Sequence, residues 1–158
     1  MSIHDIKSRV VDAELKYNRP PNSTCLIAVS KLQPDERVVT VIEAGHQEFG
    51  ENYVQEAAAK WPAWRAKYTN LKLHMLGPLQ TNKARQAIEL FDCIQSLDRP
   101  KLASTIARLA QELGKCPDLF IQVNTGAESQ KAGVLVKDLE NFIVDCRAED
   151  LPILGLMA

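Results

Sequence analysis

Lys31 is the residue whose setting most invites chemistry. It closes the run Cys25-Leu26-Ile27-Ala28-Val29-Ser30, with Pro34 close behind. A short apolar run of this kind, rich in β-branched residues, reads as a strand over 25–31 buried on both faces. In parallel α/β folds the carboxyl end of a strand is where ligands bind. Partial desolvation at the rim of an apolar core would lower the lysine's pKa and free its amine to attack a carbonyl. The plainer alternative is a side chain that runs out of the strand end into water. Polar residues recur after the later apolar runs: Glu51 and Asn52, Gln80 and Asn82, Ser96 and Asp98, and Asn124. In a barrel such ends converge on one mouth, which favours a functional Lys31.

These residues need elements to position them. An amphipathic helix over 2–18 carries Ile3, Ile6 and Val10 on one face, with Ser2 and Asp5 close to a capping-box pattern. Pro34-Asp35-Glu36 suits the first turn of a second helix, and Gly45 its end. Further strands are expected at 47–50, 72–76, 92–97, 119–124 and 153–157. Helices are expected between them, one of which Pro62 could kink or split. Residues 125–133 read as a polar loop. Strand and helix thus alternate six times, the repeat of a parallel sheet, either a barrel or a doubly wound sheet. No Gly-x-Gly-x-x-Gly follows the first strand, which counts against a dinucleotide-binding fold.

The totals narrow the class. A chain of 158 residues fits about one domain. A net charge of −1 argues against a nucleic-acid surface. No run of apolar residues is long enough to span a membrane. His4, Asp5, Lys7, Arg9, Asp12 and Glu14 interrupt the start of the chain where a secretory signal would need an apolar core. Cys25, Cys93, Cys116 and Cys146 show no paired spacing and read as reduced, buried cysteines of a cytoplasmic protein. The histidines are too scattered to suggest a metal site.

Five segments carry a resemblance. They are Ala28-Val29-Ser30-Lys31, Phe49 to Glu56 (FGENYVQE), His74 to Lys83 (HMLGPLQTNK), Ile121-Gln122-Val123-Asn124 and Gly155-Leu156-Met157. In this order they closely resemble the pyridoxal phosphate homeostasis proteins, which are related to the amino-terminal domain of alanine racemase. The resemblance implies an α/β fold, a (β/α)8 TIM-type barrel of which about six βα units are present. It implies a single, incomplete domain over 1–158. It implies a protein of intracellular pyridoxal 5′-phosphate (PLP) homeostasis, without catalytic turnover, that holds PLP as a Schiff base on Lys31. Asn52 and Met157 fall on segments expected to border the cofactor. PLP-dependent apoenzymes are possible recipients, and a complete member is expected to be a monomer.

The residues agree with this in part. PLP requires an amine for its aldehyde, a wall beside its ring and donors for its phosphate. Lys31 can supply the first. Asn52 could hydrogen-bond near the phenolic oxygen or cap its helix. His74, inside a strand, reads as a satisfied core residue. Met157 reads equally as core or as a wall beside the ring. Tyr53 and Trp61 read as helix-face packing. Lys83, Arg85 and Lys131 read as solvated side chains, with Lys131, in the loop after the fifth strand, the best candidate among them for a second cofactor contact. Family members continue well beyond this length, through the last strands, a glycine- and serine-rich phosphate cup and an arginine beside the pyridine nitrogen. A C-terminal truncation that weakens cofactor binding is therefore expected. Two other readings stay open: a PLP-dependent racemase-like enzyme, and a fragment that has lost cofactor binding.

Overall fold

The computed structural model describes residues 2–158. The elements run α1 (Ile3–Lys16), β1 (Ala28–Val29), α2 (Asp35–Glu43), β2 (Glu48–Glu51), α3 (Val54–Lys67), β3 (Lys72–Met75), α4 (Ala84–Leu90), β4 (Cys93–Leu97), α5 (Pro100–Leu113), β5 (Asp118–Asn124), β6 (Val134–Leu135), α6 (Leu139–Ala148) and β7 (Ile153–Met157). All strand pairs are parallel, in the order β1-β2-β3-β4-β5, with β6 and β7 both paired to β5. This is a curved wall of βα units of the TIM-barrel type, as expected.

Local signals explain most boundaries. Ser2 Oγ accepts from the Asp5 N–H, and the Asp5 carboxylate accepts from the Ser2 N–H, completing the capping box of α1. Pro100 opens α5, and Gly114, at φ +67°, closes it in the left-handed conformation. Pro62 lies inside α3 without splitting it.

The sheet has two faces. Phe49 and Glu51 face the helices: the Phe49 ring sits 5.1 Å from that of Trp61, and Trp61 Nε1 donates to Glu51 at 3.1 Å. Gly50 faces the other way, where an added Cβ would meet Leu76 at 2.4 Å and Ile27 at 3.1 Å. The core lies between sheet and helices. There Trp61, Phe49, Leu73, Met75, Ile94, Leu97, Leu102, Ile106, Leu119 and Ile121 are fully buried. Burial of such side chains contributes roughly 1.5–3 kcal/mol each.

Three expectations are corrected. The first strand is two residues long rather than 25–31, and Val29 is 48% exposed rather than buried on both faces. The reason is that β1 is an edge, paired among the described residues with β2 alone. The segment expected to be only loop and helix after β5 contains β6, which pairs with Val123 and Asn124. Cys25, beside the edge strand, is exposed, whereas Cys93 and Cys146 are buried. Lys31 is exposed, the plainer of its two readings, a side chain that runs out of the strand end into water.

Candidate functional site

Every candidate stands at the carboxyl end of a strand. Lys31 lies two residues beyond β1, Asn52 follows β2 directly, and Met157 ends β7. Val29 pairs with Gly50, so Lys31 and Asn52 leave neighbouring strands at matching levels. Met157 pairs with Gln122 on β5, across the sheet from Lys31. No hydrogen bond joins the three candidates among the described residues.

Lys31 is the second residue of a turn in which Ser30 C=O accepts from the Gln33 N–H at 3.1 Å. Ser30 is buried and tied to β2. Its N–H donates to Gly50 C=O at 2.9 Å, and its hydroxyl donates to Glu51 Oε1 at 2.8 Å. The Glu51 side chain is enclosed beneath the turn, with Oε2 unpartnered among the described residues. Burial pushes its carboxyl pKa up, against the hydrogen bonds from Ser30 and Trp61 that pull it down.

Asn52 is held by a close backbone approach. A Cβ on Gly77 would lie 2.3 Å from the Asn52 carbonyl oxygen and 2.8 Å from its Cα. Leu76 N–H donates to Glu51 C=O at 2.8 Å just below. The N-cap of α3 is Tyr53, with no side-chain cap bond, so the capping reading of Asn52 is not realised. Asn52 instead lines a cleft of about 400 Å³ with Gln55, Pro78, Gln80 and Lys83. Tyr53 is 53% exposed, so it does not pack on a helix face as expected, whereas Trp61 does.

On β5, Gln122 and Asn124 share a face, and both line a second cleft, of about 220 Å³, with Thr125, Gly126 and Lys131. Gln122 Oε1 is buried with no partner among the described residues. Asn124 anchors the loop that carries Lys131. Its Nδ2 donates to Glu128 C=O at 2.7 Å and to Lys131 C=O at 3.3 Å, while Oδ1 accepts from the Glu128 N–H at 3.1 Å. The Lys131 ammonium pairs with the Glu128 carboxylate at 2.5 Å. The sequence places Gln122 in a segment of the family resemblance without giving it a role, although its two-residue spacing from Asn124 puts both on one face.

His74 is satisfied on both ring nitrogens, by Glu48 at 2.8 Å and Gln95 at 3.1 Å. This matches the expected structural role. No cluster of three or more potential metal ligands occurs among the described residues.

Residues 14–158 match the family described as the alanine racemase N-terminal domain. The pyridoxal phosphate homeostasis protein of Vibrio alginolyticus is 36% identical, over 99% of this chain and 69% of its own length. PipY of Synechococcus elongatus, solved with PLP bound, is 39% identical, with a TM-score of 0.78 over 94% of this chain and 69% of that one. Alanine racemase of Clostridium difficile is 14% identical at a TM-score of 0.66 and shares the fold. The chain thus spans about two thirds of the length of the homeostasis proteins it matches. It belongs to the alanine racemase N-terminal domain family and, within it, to the pyridoxal phosphate homeostasis proteins.

Proposed function

We propose that this chain binds PLP covalently through Lys31 and serves to hold and pass on the cofactor in the cytoplasm, without turning over a substrate. The observation that carries this is the placement of Lys31: an exposed amine in a tied-down turn at the carboxyl end of β1. The residues around the strand ends suit the cofactor. Asn52 brings an amide to the lip of its cleft, Met157 brings a half-buried thioether, and Gln122 brings an unpartnered buried oxygen. Lys131 is a second cation on the cleft that Gln122 lines. PLP would bring an aldehyde that the Lys31 amine could hold as a C=N linkage with loss of water. Lys31 therefore sets where the cofactor sits, and Asn52 and Met157 border it.

The homeostasis role is supported by the names of the relatives and by PipY, which binds PLP. Four free cysteines are in keeping with a reducing cytoplasm. PLP-dependent apoenzymes are the recipients we propose, and 1–158 acts as one unit.

The test is an absorption spectrum of the chain with added PLP, followed by borohydride reduction and peptide mass mapping. A pyridoxyl group on Lys31 is the expected result. Diffuse labelling of surface lysines, or none, would overturn the reading. Lys31→Ala should abolish the adduct and leave the melting temperature within about 2 °C, because an exposed side chain away from caps and core contributes within about 0.5 kcal/mol.

A further inference from the structure

The residue after Lys31 is held in an unfavourable conformation. Leu32 has φ +56°, in the left-handed region. For a leucine this costs roughly 1–2 kcal/mol. Its side chain is 75% exposed, so no apolar packing repays that cost. What meets Leu32 is a carboxylate: its N–H donates to Glu56 Oε1 at 2.8 Å. Glu56 lies in the first turn of α3 and is itself backed by Lys60, whose ammonium is 3.3 Å from the same oxygen. Lys60 also donates to Gln33 C=O at 3.3 Å and pairs with Asp35 at 3.5 Å. The last two residues of the turn, Leu32 through its N–H and Gln33 through its C=O, are thus fastened to α3 by one ion pair. The side chains of Glu56 and Lys60 are only 17% and 22% exposed, so solvent competes weakly for them.

Strain kept on an exposed residue, and held there by a partly buried ion pair, is a reason to look for function beside it. Released from Glu56, Leu32 would relax to negative φ, and the direction in which Lys31 leaves β1 would change. We infer that Glu56, backed by Lys60, is a positioning residue for Lys31: it holds the Ser30–Gln33 turn left-handed at Leu32 and so fixes the approach of the lysine amine to an aldehyde ligand. This deepens the reading of Lys31 as the cofactor lysine and rests on it.

The test compares the wild-type chain with Glu56→Ala, Glu56→Gln and the double variant Glu56→Ala/Leu32→Gly. Two quantities are read: hydrogen exchange at the Leu32 amide, and the pyridoxyl group trapped on Lys31 by borohydride after a short incubation with PLP. In Glu56→Ala the Leu32 amide should exchange roughly tenfold faster, since a hydrogen bond to a charged acceptor is gone. Lys31 labelling should fall several-fold relative to other lysines. Glu56→Gln keeps an acceptor oxygen and should stay close to wild type. The double variant should recover Lys31 labelling, because glycine adopts positive φ at no steric cost. A merely stabilising Glu56 would give no such recovery.

Wild-type labelling in Glu56→Ala, or no recovery in a folded double variant, overturns the inference. Unchanged Leu32 exchange in Glu56→Ala overturns it as well, because the clamp on Leu32 is how Glu56 is inferred to act. A wild-type chain without pyridoxyl on Lys31 overturns the cofactor reading, and the inference with it. Should Glu56→Ala fail to fold, Lys60→Met removes the backing cation and the bond to Gln33, and the same losses are expected at smaller size. Wild-type behaviour there also counts against the inference.

Discussion

Replacing Gly77 by alanine should be among the most damaging one-atom additions in this chain. The added Cβ would lie 2.3 Å from the Asn52 carbonyl oxygen, 2.8 Å from its Cα and 2.9 Å from its carbonyl carbon. All three are backbone atoms, so no rotamer change relieves the clash. Either the loop after β3 or the loop after β2 must move. The loop after β2 is tied down from below, because Leu76 N–H donates to Glu51 C=O. Overpacking costs about 1–3 kcal/mol in well-packed sites, and a clash with three backbone atoms belongs at the top of that range. In a domain of this size about 3 kcal/mol lowers the melting temperature by roughly 6–12 °C. The assay is thermal unfolding followed by far-UV circular dichroism, with Gly114→Ala as a reference. Gly114 has φ +67° but nothing within 4 Å of its would-be Cβ, so it carries strain without a clash. That substitution should cost about 1 kcal/mol, roughly 2–4 °C. A Gly77→Ala chain that melts no lower than Gly114→Ala would refute the close approach of the two loops, and with it the account of how Asn52 is held.

Two further outcomes are expected. Glu51 carries a pKa raised by burial from its model-compound value of 4.5, so the folded chain holds its proton more tightly than the unfolded chain. The stability of wild type relative to Glu51→Gln should therefore fall as pH rises from about 4.5 through the folded-state pKa; urea midpoints across pH 4–8 check this, and a difference that grows with pH would contradict it. The four cysteines should react unequally with a thiol reagent. Cys25 is exposed and should modify first in the native chain, whereas burial shields Cys146 and Cys93 and pushes their thiols up to about 11 and about 12; equal rates in native and urea-unfolded chains would oppose this.

The fold was legible because its signals are local and repeated. Apolar runs end in polar residues, and α1, α2 and α5 carry a capping box, a proline or a glycine at their ends, so the βα alternation can be read without tertiary information. The misread elements are those that depend on neighbours. The run 25–31 reads as doubly buried, yet β1 pairs on one side only, and composition does not tell an edge strand from a central one. β6 is two residues long and exists only through its register with Val123 and Asn124.

The candidate site divides in the same way. Lys31 and Asn52 could be picked out because they end strands. What fixes them could not, since it comes from residues twenty or more positions away that face them only in the folded chain. Gly77 seats Asn52 through its missing Cβ, and its place in a Gly-Pro turn pointed to loop geometry rather than to contact with β2. Glu56 meets Leu32 from the first turn of α3, where an acidic residue already has a sufficient local reason in the helix dipole. That local reason concealed a tertiary one. The sequence left two settings open for Lys31, a desolvated rim and a side chain running out into water, and the structure shows the second. The turn that carries Lys31 is fastened from the α3 side while the Lys31 side chain stays exposed. What sets Lys31 apart in this chain is therefore a tied-down turn rather than a buried one.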